Sequence, residues 1–319
     1  MTARLELAPA VETVLSRCLA VRAGEDVLVV ADPATLPIAE ALREGASAEG
    51  AEAVLSLMDE RRTHGSEPPR PLEAAFSACD VLIAPTTKSL SHTTARKGAT
   101  DAGVRAATMP GVTGDMLARA MAVDFALMAR RSRAVAAALT EGAVARVSCP
   151  KGTDLTLELG NRAGIADDGD LSAPGAFGNL PCGEGFISPT GGEGELIASS
   201  LASLGLSDEP AVLTVQEGGI VGAERGLGPQ FMALLRAHGE AGANLAELGV
   251  GTNDRAQLTG AVLEDEKILG TIHVAFGASA GIGGTVSVPI HLDVVVTDAS
   301  LEVDGQPILD NGRFVLDVR

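Results

Sequence analysis

The first half of the chain alternates short apolar runs with longer stretches of helical composition. The runs are DVLVVAD (26–32), AEAVLSLMD (51–59), DVLIAPTT (80–87) and RAATMPG (105–111). DVLVVAD, short and rich in Val, suits a strand covered on both faces, and the other runs read as the strands that follow it. Helical stretches surround them: residues 11–20, PATLPIAEALREGASAEG (33–50), Ser91 to Gly103, and the Ala- and Met-rich span from Thr113 to about Gly142, which reads as one or two helices. Strands that alternate with helices form parallel sheets with right-handed crossovers. Residues 1–144 are therefore expected to be an α/β layer domain with an open, mostly parallel sheet.

After Glu141 the texture changes. ARVSCPKGTDLTLELG alternates apolar and polar residues around a Lys-Gly turn, as a hairpin does. Gly and Pro become dense from Gly164 to Gly194, and strand-like runs follow: AVLTVQEGGIVGAE, TIHVAFG, VSVPIHLDVVV, ASLEVDG and RFVLDV, with one helix near Pro229 to Gly239. Residues 145–319 are expected to be a β-rich α+β domain.

Composition narrows the function. A net charge of -18 argues against nucleic acid or an anionic membrane surface as partner, because both attract Lys and Arg. Trp and Tyr are absent and only seven Phe are present, so base-stacking platforms are scarce. Cys18, Cys79, Cys149 and Cys182 form no CxxC pair and read as free thiols of a reducing compartment. With no leader-like N-terminus and no apolar run of about 20 residues, a cytoplasmic protein is expected.

The chemistry concentrates in the second half. His291 and Asp293 lie two residues apart in IHLDVVV and so point to one face of a strand. Two polar side chains in a Val and Ile environment require a partner, and a metal ion is one. His273 sits in the strand-like TIHVAFG, and Glu247 lies between apolar neighbours in AELGVGTN. Glu184, in NLPCGEGFISP, reads from that segment alone as a solvated loop acid, because Pro181, Gly183 and Pro189 oppose regular structure. Glu264, Asp265 and Glu266 read as a solvated cluster edging a short helix, one of which could face inward. His92, where DVLIAPTT ends, is either a candidate acid or base or a helix N-terminal residue capped by Ser91 or Ser89. No GxxxxGK[ST] or HExxH motif is present.

The strings AELGVGTN, LTGAVLEDEKILGTIHVAFG and IHLD, with NLPCGEGFISP upstream, resemble metalloaminopeptidases of the aminopeptidase T and aminopeptidase S type. SLSHTTARKGATDAGVRAATMPGVT extends the likeness toward shorter members of that superfamily, which include the iron-dependent 2,5-dihydroxypyridine dioxygenases. In the peptidases the resemblance implies a two-metal site whose ligands fall on Glu184, Glu247, Glu266, His273, His291 and Asp293, with Glu247 also the general base. Paired ions could activate a bridging water for amide hydrolysis. A catalytic tyrosine is expected seven residues after the histidine of TIHVAFG, yet that position is Ala280 and the chain has no tyrosine.

His273, His291 and Asp293 also form the two-histidine, one-carboxylate set of non-haem Fe(II) oxygenases. The expected activity is metal-dependent hydrolysis of a peptide or small amide, with Zn, Co or Mn. The alternative is Fe(II)-dependent cleavage of a hydroxylated pyridine-type ring, with His92 as acid or base, and a non-catalytic metal or small-ligand binder is a third possibility. One or two divalent ions and a small-molecule or short-peptide substrate are expected, and the resemblance implies a homodimer.

Overall fold

The computed structural model describes residues 2–318. The chain divides into two units, Met1–Val123 with Gly169–Cys182, and Asp124–Asp168 with Gly183–Arg319. No helix of the described residues is long and apolar enough to cross a membrane.

The first unit is built on a five-stranded sheet ordered Glu52–Leu57, Asp26–Ala31, Val81–Ala84, Arg105–Thr108, Phe177–Asn179. Every pairing in it is parallel. Val81–Ala84 and Arg105–Thr108 are buried along their whole length, the second with Arg105 Nη2 donating to Glu25 Oε2 at 2.6 Å. On one side Val30, Leu82, Ala84 and Ala106 pack with Phe76 and Leu90. The order reverses between the strands Asp26–Ala31 and Val81–Ala84, the switch point beside which open α/β sheets bind ligands. There the buried Asp32 accepts hydrogen bonds from Thr87 N and from Thr87 Oγ1 at 2.9 Å.

The expected α/β and β-rich parts are both present, but the division does not fall at residue 144. The Thr113 to Gly142 span forms two helices. Thr113 caps Gly114–Ala120, and Asp124 Oδ1 accepts from Leu127 N at 3.0 Å to start Phe125–Glu141. The second helix belongs to the second unit, where Val135 and Leu139 join the core. The Gly- and Pro-rich segment returns to the first unit and adds Phe177–Asn179 beside Arg105–Thr108. Periodicity marks elements well but does not say which core a helix face will meet.

In the second unit the sheet order is Arg313–Phe314, Gln306–Asp310, Ser300–Val303, Val144–Ser148, Asp154–Glu158, Gly191–Leu201, His291–Val296, Ile272–Gly277, Leu245–Gly251, Glu184–Ile187, Ile165–Asp167. The pairings are antiparallel, and Gly205–Gln216 and Gly219–Glu224 extend from Gly191–Leu201 as a ribbon. The hairpin around Lys151-Gly152 is present, with Gly152 at φ 113°. VSVPI is not part of the last central strand, which starts at His291 itself. Pro289 has no N–H to give a ladder.

Candidate metal centre

Four neighbouring strands of the second unit make a sheet with two unlike faces. Leu248, Val250, Ile272, Val274, Phe276, Leu292 and Val294 turn into the apolar core. The alternate positions carry Glu247, Gly249 and Gly251 on one strand, His273 and Ala275 on the next, and His291 and Asp293 on the third. Register aligns them: Ala275 lies between Glu247 and Asp293, His273 opposite Gly249, and Glu184 opposite Gly251. A register shift between Leu245 and Glu247 breaks the alternation, so Leu245 joins the core while Glu247 faces away from it.

Small residues between the polar ones make the room. A Cβ on Gly249 would fall within the imidazole of His273, and one on Gly251 would fall onto the backbone of Lys267 and Ile268. The glycines of AELGVGTN are therefore part of the site's shape. This is a second signal in that string beside its glutamate.

The side chains converge in two groups that share Glu247: Glu184, Glu247 and His273, and Glu247, His291 and Asp293. Each group offers ligand atoms within 4.8 Å of one another. His273 Nε2 lies 3.0 Å from Glu184 Oε2 and 3.2 Å from Glu247 Oε1. His291 Nε2 lies 3.3 Å from Glu247 Oε2 and 3.6 Å from Asp293 Oδ1. The Nδ1–H of His291 donates to the Ala278 carbonyl at 2.7 Å, which leaves Nε2 directed at the carboxylates. Backbone support of this kind fixes the tautomer of a metal-binding imidazole.

Glu184 is buried at the start of a strand, not on a solvated loop. The antiparallel partners on both sides, Leu245–Gly251 and Ile165–Asp167, impose extended structure on a segment whose local composition opposes it. The acids after Val262 are also not solvated. Glu264, Asp265 and Glu266 are all buried. Asp265 accepts from Ser200 Oγ at 2.7 Å and from Thr259 N at 2.7 Å, a purely structural set. Glu266 belongs to neither ligand group and instead contacts Lys267 Nζ at 2.9 Å.

Lys267 has no counterpart in the sequence reading. It is 1% exposed, and its Nζ lies 2.5 Å from Glu184 Oε1 and 3.6 Å from Asp167 Oδ2. Asp167 is likewise missed by the sequence. The available signal was the Lys that follows three acids, since a buried acidic cluster requires a compensating cation.

Burial acts to raise the carboxyl pKa of Glu247, Asp293, Glu266 and Asp167, and the partners decide the outcome. At Glu247 burial is outweighed by hydrogen bonds from His273 and His291, which hold it well below the usual carboxylate range. At Asp293 it is outweighed by His291. At Glu266 burial prevails over the attraction of Lys267, with Asp293 and Glu184 adding to it, and the carboxyl is pushed up to about 8. Asp167 is pushed up to about 7 by burial against Lys267, with Glu184 and Asp168 adding. Both imidazoles resist burial and titrate well above 6.5, His273 beside Glu184 and Glu247, His291 beside Asp293 and Glu247. Burial opposes the Lys267 ammonium too, but Glu184, Glu266 and Asp167 hold it protonated.

The residues present fit a divalent cation. Glu184 Oε2 is buried and accepts no hydrogen bond among the described residues, although it faces the His273 ring. Mixed imidazole and carboxylate donors suit Fe, Zn, Co or Mn. Glu184, Glu247, His273, His291 and Asp293 would hold such an ion.

His92 belongs to the first unit, exposed in the loop that follows Val81–Ala84. The helix cap there is neither Ser89 nor Ser91. Thr93 Oγ1 accepts from Arg96 N at 3.2 Å and starts Thr94–Asp101, while Ser91 Oγ donates to Asn179 Oδ1 at 3.2 Å. Ala280 is exposed in a single turn, Ala280–Ile282.

Comparison with curated protein sequences finds no match. Among solved structures, the chain is similar to a 2,5-dihydroxypyridine dioxygenase from Pseudomonas putida KT2440, at 19% identity and TM-score 0.83 over 98% of each chain. It is also similar to AmpT from Thermus thermophilus, at 20% identity and TM-score 0.69, covering 98% of this chain and 99% of that one. Both likenesses establish the two-part fold. The family model NicX, 2,5-dihydroxypyridine 5,6-dioxygenase, matches residues 6–316. A match that takes in both units and every strand of the metal face assigns the chain as a whole: it belongs to the 2,5-dihydroxypyridine 5,6-dioxygenase family.

Proposed function

We propose that the protein is an Fe(II)-dependent dioxygenase that opens a hydroxylated pyridine-type ring. The observation that carries this is the set His273, His291 and Asp293 gathered about Glu247 in a chain with no tyrosine. Two imidazoles and a carboxylate hold iron while leaving positions open. A bound Fe(II) supplies the one-electron chemistry that lets dioxygen react with an electron-rich ring. Family membership supports the same choice.

The chain's own residues have definable tasks in this reading. His291 is oriented by the Ala278 carbonyl, which directs its Nε2 into the site. Glu247, ionised beside two imidazoles, accepts a hydrogen bond from a ring hydroxyl and so orients the ring. The apolar face behind these strands keeps the site on a rigid, water-free support.

Metal-dependent amide hydrolysis is the second reading, favoured by the two ligand groups that share Glu247. Paired ions would use Glu247 as the base for a bridging water. Against it stands Ala280, exposed where a tyrosine would serve as oxyanion donor, a loss of about 2.7–4 kcal/mol by analogy with other donors. Anaerobic loading with Fe(II), followed by oxygen uptake on addition of 2,5-dihydroxypyridine, tests the choice. No uptake with iron, together with release of amine from an amino-acid amide with Zn, Co or Mn, would replace the first reading by the second.

A further inference from the structure

We infer that Lys267 serves as a built-in second cation, whose ammonium restricts this centre to one divalent ion. The inference rests on the metalloenzyme reading of the site. An ammonium has three N–H donors and no acceptor. Lys267 Nζ faces three carboxylates, Glu184 Oε1 at 2.5 Å, Glu266 Oε1 at 2.9 Å and Asp167 Oδ2 at 3.6 Å, with the side chain 1% exposed.

The six-residue ligand set implied by the peptidase resemblance needs both Glu184 and Glu266 to hold two ions. Glu266 contacts Lys267 and stands outside the two ligand groups, while Glu184 divides its carboxylate, with Oε1 on Lys267 and Oε2 left for the ligand groups. Glu184 Oε2, Glu247, His273, His291 and Asp293 remain, in two groups that share Glu247, which suffices for one ion with open positions. A second dication on Glu184 Oε2 would sit one carboxylate away from the ammonium. Little water screens repulsion between two positive charges in so buried a place.

The ammonium is also held firmly. Lys267 N donates to the Glu264 carbonyl at 2.9 Å, and Asn253 N donates to the Lys267 carbonyl at 2.9 Å. Gly251 packs so closely on the Lys267 backbone that a Cβ there would collide with it. Its main chain is fixed and its side chain is enclosed by three acids, which hold the ammonium in place.

Metal-free wild type, Lys267→Arg and Lys267→Met can be titrated with Co(II) by equilibrium dialysis, and bound metal counted by mass spectrometry. Wild type and Lys267→Arg should saturate at one ion per chain. Lys267→Met should take two, and the second should be lost again in Lys267→Met/Glu184→Gln. Two ions on wild type or on Lys267→Arg, or one on a folded Lys267→Met, would overturn the inference. So would a Lys267→Met protein that stays unfolded in excess cobalt, because a metal should take over the neutralising role. The dioxygenase reading fails separately: iron-loaded wild type that consumes no oxygen leaves these stoichiometries unchanged.

Discussion

Gly249 lies directly opposite His273 on the neighbouring strand, and the imidazole occupies the space that a side chain at position 249 would need. Because His273 is fully buried, its ring has nowhere to retreat. The absence of a Cβ at one position thus sets the place of a ligand at another.

Gly249→Ala should therefore damage the site more than the fold. Overpacking of this kind costs about 1–3 kcal/mol. Metal affinity should fall at least tenfold while the far-UV circular dichroism spectrum is unchanged. Wild-type affinity in a competition titration would show that the ring does not depend on this gap.

His291→Ala and Asp293→Asn should each remove bound metal, whichever reaction the enzyme performs. Changes to groups that hydrogen-bond a metal's ligands typically cost about 10–100-fold, and loss of a ligand should exceed that range. Anaerobic isothermal titration checks it. Retention of wild-type affinity in both variants would move the ion away from this strand.

Stability of the metal-free protein should fall as pH rises above about 6. The raised pKa values of His273 and His291 give stability that is complete below 6.5 and lost as pH climbs through their folded values. Glu266 and Asp167, pushed up to about 8 and about 7, act in the same direction: their protonated forms favour the fold until those values are passed. Each extra proton held by the folded state contributes roughly 1.4 kcal/mol per pH unit. Glu247 and Asp293, held low, act oppositely, and their contribution is lost only as pH falls through their depressed values. Melting in EDTA from pH 6 to pH 9 should show a steady decline that saturating metal flattens, since metal replaces protons on the imidazoles. An unchanged melting temperature in EDTA over that range would contradict these shifts.

Asp265→Ala should destabilise the protein without changing metal stoichiometry. It leaves Ser200 Oγ and the backbone N–H groups of Thr259 and Gly260 without their acceptor. Leaving buried donors of this kind without an acceptor costs about 1–3 kcal/mol. Thermal denaturation and metal counting on the same sample separate the two effects.

Much was legible from residue order alone. Apolar runs near Val29, Ile83 and Ala106 placed a buried parallel sheet because period and composition are local properties. The two-residue spacing of His291 and Asp293 fixed their common face. The family resemblance added Glu184, Glu247 and His273, which the fold does bring together with that pair.

Only the tertiary structure decided the rest. It moved the helix Phe125–Glu141 into the second unit and returned Phe177–Asn179 to the first, through pairings between residues distant in sequence. It buried Glu266 and gave it to Lys267, and it made Asp167 part of the same cluster. A charge's role depends on what surrounds it after folding, and neighbours brought from distant segments leave no trace in local periodicity. The sequence by itself supplied the candidate ligand types and the strands that carry them. The folded chain determined which carboxylates face the ligand groups and which are held by an ammonium.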